Sequence, residues 1–128
     1  INKLINIAWI AAGGALGATL RYLTSIIVKY YFSTTIPLGT LAVNLIGSFF
    51  IGLLMFYSQN KIINDNFIRY FFIIGLLGSY TTFSAFSYEL LELFNNRQFF
   101  ISLIYILLSV GACLFFAFLG YNFNKIMF

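Results

Sequence analysis

Four long apolar runs, separated by short polar connections, organise the chain. Their lengths predict membrane-spanning helices over residues 4–31, 37–57, 67–94 and 100–123. The runs are continuous rather than alternating, which favours helices over the strands of a barrel. At roughly 20 residues per span, the chain has room for four and for no separate soluble part. The expected class is an all-α integral membrane protein with one four-helix domain over residues 1–128. Pro37 suits the first turn of the second helix.

The third run departs from the pattern of a lipid-facing span. Its stretch GLLGSYTTFSAFSYE, residues 75–89, carries the hydroxyls of Ser79, Tyr80, Thr81, Thr82, Ser84, Ser87 and Tyr88 and the carboxylate of Glu89. Hydrocarbon offers no water to satisfy them, so they need protein partners or a wet cavity. Residues 78–82 are also poor helix formers, so a break in the helix near mid-membrane is expected there. Non-helical backbone at that depth has to be buried in protein or line a cavity. This stretch is therefore the expected functional site, housed by the other three spans.

The other spans carry weaker polar signals. Gly13 and Gly17 stand in GxxxG spacing, which lets two helices approach closely, within the chain or between copies. Arg21 follows in the same span. A central Arg costs ~3 kcal/mol unless it snorkels to the interface or finds a partner, so snorkelling and a vestibule role both stand. Thr40, Asn44 and Ser48 recur at i, i+4, i+8 on one face of the second helix. Interhelical hydrogen bonding and a solute-lined face both account for them. Phe83, Phe86 and Glu89 lie roughly on one face of the third. In a chain with 17 Phe, packing alone accounts for two of them at helical spacing. Tyr105, Ser109 and Cys113 form a second mildly polar stripe, although a Ser can also bond back to its own helix.

Composition sharpens this picture. The chain is 62% hydrophobic and 8% charged, which no soluble domain of this size could cover with polar surface. The net charge of +4 forms no patch, so nucleic acid is excluded as a partner. There is no His, and the only acids are Asp65, Glu89 and Glu92. This leaves no set for a metal site of the usual His, Cys and carboxylate kind, and no catalytic constellation. With four spans, one side carries Lys3, Lys61, Arg69 and Lys125 and the other Lys29 and Arg97. That is a weak bias for fixing orientation. It leaves insertion both ways open. Four short helices leave little room for a pore and its walls, so a homo-oligomer is expected, with parallel and antiparallel arrangements both open.

The segments GGALGATLRY (13–22), GTLAVNLIGSFFIG (39–52) and GLLGSYTTFSAFSYE (75–89) resemble the small fluoride channels of bacteria, the Fluc or CrcB family. The resemblance implies a dual-topology, antiparallel homodimer with two pores in the bacterial cell membrane, passing fluoride passively out of the cytoplasm. It assigns the fluoride pathway to Asn44, to the ring edges of Phe83 and Phe86, to Tyr105 and Ser109 with Thr40 nearby, and to Glu89. Arg21 corresponds to the Arg of the family's first motif, in the vestibule. A structural sodium ion at the dimer centre would be held by the backbone carbonyls of Gly78 and Thr81. Two departures are Ser79-Tyr80, where the family carries smaller residues, and Cys113, where a hydroxyl would continue the track. Two other readings remain: a small dual-topology drug or cation exporter using Glu89, and a non-conducting subunit of a heteromeric channel.

Overall fold

Four apolar segments in hydrocarbon can satisfy their backbones only as helices, and helices are the regular elements of the computed structural model, which describes residues 2–60 and 66–127. The elements are α1 (Asn2–Tyr31), α2 (Leu38–Gln59), α3 (Ile68–Leu77, continuing through Gly78–Tyr80), α4 (Phe83–Asn95), α5 (Phe99–Tyr121) and the short α6 (Phe123–Met127). Among the described residues, four helical segments are long and apolar enough to cross a membrane, with α3 and α4 together making the third. The chain is a multi-pass membrane protein. Lys61 and Asp65, which fall between the second and third expected spans, lie outside the described residues.

The expected spans end within two residues of the observed helices. Pro37 differs in detail: its ψ of 82° is not helical, so it stands just before α2 rather than in the first turn. Two features of winding carried no sequence signal. Ile68–Leu77 and Leu108–Ala112 are wound as π-helix, with the wider i→i+5 turn.

Lipid tails are as apolar as the helices, so close packing rather than water exclusion has to hold the bundle together. Glycines make that approach possible. A side chain on Gly13 would run into the Phe71 carbonyl, and one on Gly17 into the Leu76 carbonyl and Ser79 Oγ. The GxxxG pair is therefore a contact of α1 with α3 inside the chain. At the other crossing, Gly52 of α2 abuts the Ala117 carbonyl and Gly120 of α5 abuts the Phe49 carbonyl. The large side chains left outside, such as Leu103, Leu107 and Phe115, are exposed and suit a lipid surround. A small buried cluster of Leu41, Phe86, Leu93 and Tyr105 joins α2, α4 and α5.

The turn from α4 to α5 is a Schellman stop. Gln98 N–H reaches the Leu93 carbonyl at 2.9 Å and Arg97 N–H the Phe94 carbonyl at 3.0 Å. Arg97 takes φ 58°, the left-handed conformation the motif requires. This turn folds α5 back against α4 and so brings Tyr105 and Ser109 towards the polar stretch.

Gly120→Val should push α5 off α2. Overpacking of this kind costs about 1–3 kcal/mol, so the thermal midpoint in detergent should fall. Gly14→Ala, where a side chain meets nothing within 4 Å, should leave it unchanged.

Candidate functional site

The helical backbone between α3 and α4 is interrupted at two residues. Thr81 (φ −80°, ψ 155°) and Thr82 (φ −151°, ψ 124°) are extended. Local hydroxyls help turn the chain out of the helix. Ser79 Oγ donates to the Leu76 carbonyl at 3.1 Å and Thr81 Oγ1 to the Leu77 carbonyl at 3.0 Å. Thr82 Oγ1 then caps α4 by accepting Ala85 N–H at 3.2 Å.

Asn44 meets this extended backbone from α2. Its amide oxygen accepts Thr82 N–H at 2.8 Å, and its amide nitrogen donates to the Thr82 carbonyl at 3.1 Å. Both orphan groups of Thr82 are satisfied by one side chain. As a result, the amides that a continuous helix would aim at the Gly78 and Thr81 carbonyls are engaged elsewhere: Thr82 N–H on Asn44, Ala85 N–H on Thr82 Oγ1.

Two cavities meet at this junction, and a third adjoins the second. The first, about 400 Å³, is lined by Asn44, Ser48, Phe83, Phe86, Ser109 and Cys113 among others. The second, about 290 Å³, lies on the other side of Thr82, which lines both, and includes Arg21, Ser25, Thr40 and Glu89. The third, about 430 Å³, shares Ser25, Thr40 and Glu89 with the second and extends to residues 33–37 between α1 and α2.

Glu89 closes a network across three helices. One carboxylate oxygen accepts the Thr40 hydroxyl at 2.5 Å and the other the Tyr105 hydroxyl at 2.6 Å. Both bonds are charge-assisted when the carboxylate is ionised. Thr40 and Tyr105, expected to offer donors to an anion, therefore direct their protons to Glu89. Tyr105 is fully buried and packs against the Phe86 ring, centroids 5.1 Å apart. Of the α5 stripe, only Ser109 and Cys113 line the first cavity. The π-wound turn at Leu108–Ala112 shifts the register that a regular α-helix would have kept.

Ser109 is 9% exposed, and its buried hydroxyl has no hydrogen-bond partner among the described residues. Ser87 and Ser102 instead bond back to Phe83 and Gln98 of the preceding turn. A buried hydroxyl that lines a cavity and makes no such bond is free to serve an occupant. Phe83 and Phe86 also line that cavity, with centroids 5.3 Å apart, but their exposures differ: 76% for Phe83 and 6% for Phe86. The reason is position. Phe83 is the first residue of α4, beyond the cover of the neighbouring helices, whereas Phe86 lies one turn inside.

Arg21 lines the second cavity with its Nε buried and unpaired among the described residues. The departure at Ser79-Tyr80 is absorbed by packing against α1: Tyr80 is buried, and its hydroxyl shares a 3.0 Å hydrogen bond with Thr24. Ser48 and Thr82 line the first cavity too. Both carried a sequence signal, Ser48 in the Thr40-Asn44-Ser48 spacing and Thr82 in the 75–89 stretch, but neither stood among the residues assigned to the fluoride pathway.

These features define a multi-pass membrane protein with polar and aromatic cavities on either side of an interrupted helix. The chain matches the family described as CrcB-like protein, Camphor Resistance (CrcB), over residues 8–121, and it belongs to that family. Relatives named fluoride-specific ion channel FluC are similar along most of their length. The one from Shewanella denitrificans is 43% identical over 91% of this chain and 94% of its own. Those of Aquifex aeolicus and Clostridium perfringens are 43% and 34% identical over 88% and 100% of this chain, and 90% and 100% of theirs.

Asn44→Ala should strand the N–H and carbonyl of Thr82. An unsatisfied buried polar group costs about 1–3 kcal/mol, so thermal unfolding in detergent should come markedly earlier. Ser87→Ala, which removes a bond within one helix turn, should leave the midpoint nearly unchanged.

Proposed function

We propose that this chain forms a passive, fluoride-selective channel that lets fluoride leave the bacterial cytoplasm. The first cavity carries the reading. It gathers Asn44, Phe83, Phe86 and the partnerless hydroxyl of Ser109 beside an interrupted helix, in a chain whose relatives are named fluoride-specific channels. Fluoride holds its water tightly, so a pore has to replace those contacts without trapping the ion. The second hydrogen of the Asn44 amide and the Ser109 hydroxyl are neutral donors of that kind. The positive edges of Phe83 and Phe86 attract an anion through the ring quadrupole, without a full charge. Thr40 and Tyr105 join this route when their protons turn from Glu89 to the passing anion. Arg21, in the second cavity, raises anion concentration in the vestibule without lining the constriction. An inside-negative potential drives anions outward at ~2.3 kcal/mol per charge per 100 mV.

The proposed assembly is an antiparallel homodimer of chains inserted in both orientations, with two pores and the interruption of α3–α4 near mid-membrane. Weak charge bias and the open side of the first cavity support it. A structural sodium ion belongs to the proposal as well. The Gly78 and Thr81 carbonyls, whose helical donors are engaged elsewhere, fit a hard cation that takes oxygen ligands. Such an ion would neutralise converging carbonyl dipoles and rigidify the junction.

The test is fluoride efflux from liposomes holding only this chain, with chloride-loaded liposomes alongside. Fast fluoride loss that requires valinomycin, without chloride loss, is the expected result. Equal loss of chloride, or fluoride loss that needs no charge compensation, would overturn the proposal. Phe83→Ile should lower fluoride loss about tenfold, the equivalent of ~1.4 kcal/mol, with the dimer still assembled. Wild-type flux in that variant would remove the ring from the pathway.

A further inference from the structure

Along α1, Arg21, Ser25 and Lys29 recur at i, i+4, i+8, which places them on one face. Arg21 and Ser25 line the second cavity, and Ser25 and Lys29 the third. Because Ser25, Thr40 and Glu89 line both, the two cavities adjoin, and together they make the passage in question. It runs from residues 33–37 inward to Thr82. Eight residues of α-helix separate the two cations by about 12 Å along the axis, with Lys29 at the outer end.

The facing wall belongs to α4. Glu89 has both oxygens engaged by Thr40 and Tyr105. One turn further out, Glu92 lines the third cavity as Lys29 does. Lys29 and Glu92 are both exposed, and among the described residues no ion pair joins them. Two opposite charges thus face one water-accessible mouth without neutralising each other. We infer that this pair sets how fast anions enter the passage: Lys29 concentrates anions at the mouth and Glu92 repels them. The inference rests on the channel reading above.

The position of Lys29 suits this task. A cation in a dry constriction would hold fluoride too long, because exit requires weak binding. At a hydrated mouth the attraction is screened, so the cation raises local anion concentration without creating a deep well. It also makes the contribution dependent on ionic strength. Screening reaches about 30 Å at 0.01 M salt and about 3 Å at 1 M, so the rim charges act in dilute electrolyte and fade in concentrated electrolyte.

The experiment measures initial fluoride efflux from liposomes of electrically neutral lipid, at fixed fluoride and at ~0.01 M and ~1 M inert electrolyte, osmotically balanced. In dilute electrolyte Lys29→Gln should lower the rate about threefold and Glu92→Gln raise it about as much, as expected for a solvated charge close to the ion's path. Both differences should vanish in concentrated electrolyte. Lys29→Arg should keep the wild-type rate, and the double variant should return near it. Unchanged rates in dilute electrolyte, or a deficit that persists undiminished at high salt, would overturn the inference while leaving the channel intact. Wild-type protein without fluoride flux would overturn the channel reading and this inference with it.

Discussion

A helix can stop within a membrane-spanning segment only if the backbone groups it releases find new partners, and here Asn44 supplies them to a segment long and apolar enough to span. One amide side chain exchanges two hydrogen bonds with Thr82 and stands in for the helical bonds that residue gives up. Everything at the site depends on that exchange. It leaves the Gly78 and Thr81 carbonyls without their helical donors, and it frees Thr82 Oγ1 to start α4. The start of α4 in turn fixes where Phe83 and Phe86 project, and Thr82 itself becomes the wall between two cavities.

The close packing of the helices makes the exchange reachable. Gly47 lies three residues from Asn44 and thus on the same face of α2, and a side chain there would strike the Thr81 methyl group. With Gly47 bare, α2 comes near enough for the short Asn side chain to reach Thr82. Gly52 and Gly120 hold α2 against α5, which sets Ser109 and Cys113 opposite Ser48 around the first cavity. Glu89 ties the same three elements together at the other end, with Thr40 from α2 and Tyr105 from α5. The polar residues thus act in two ways. Asn44 and Glu89 lock the backbone and the hydroxyls in place, while Ser109 is left without a partner among the described residues.

Much of this could be read from the chain because membrane helices are specified by continuous apolar length. That signal sets span ends to within two residues, and it marked residues 75–89 as unlike ordinary lipid-facing sequence. The spacing of Thr40, Asn44 and Ser48 correctly placed them on one face. Long-range pairings could not be read. The grip of Glu89 on Thr40 and Tyr105 spans 49 and 16 residues of sequence. Nothing in either neighbourhood announces it. The π-wound turn at Leu108–Ala112 was also hidden, since nothing in the sequence LSVGA sets it apart from an α-helical turn. It separates Tyr105 from the Ser109–Cys113 side of a stripe that α-helical counting draws as one line. Phe83 and Phe86 share a face by spacing, yet only the fold decides that the first is exposed and the second buried.

The central claim is that fluoride passes alone, as an ion, along neutral donors. The most direct measurement is the reversal potential of current through planar bilayers holding this chain, with a tenfold fluoride gradient and equal chloride on both sides. The account predicts a reversal near 59 mV in magnitude, the value for one charge per tenfold gradient, with the sign of an anion. A reversal near zero, as shared chloride conduction would give, or one that tracks the cation gradient, would contradict it.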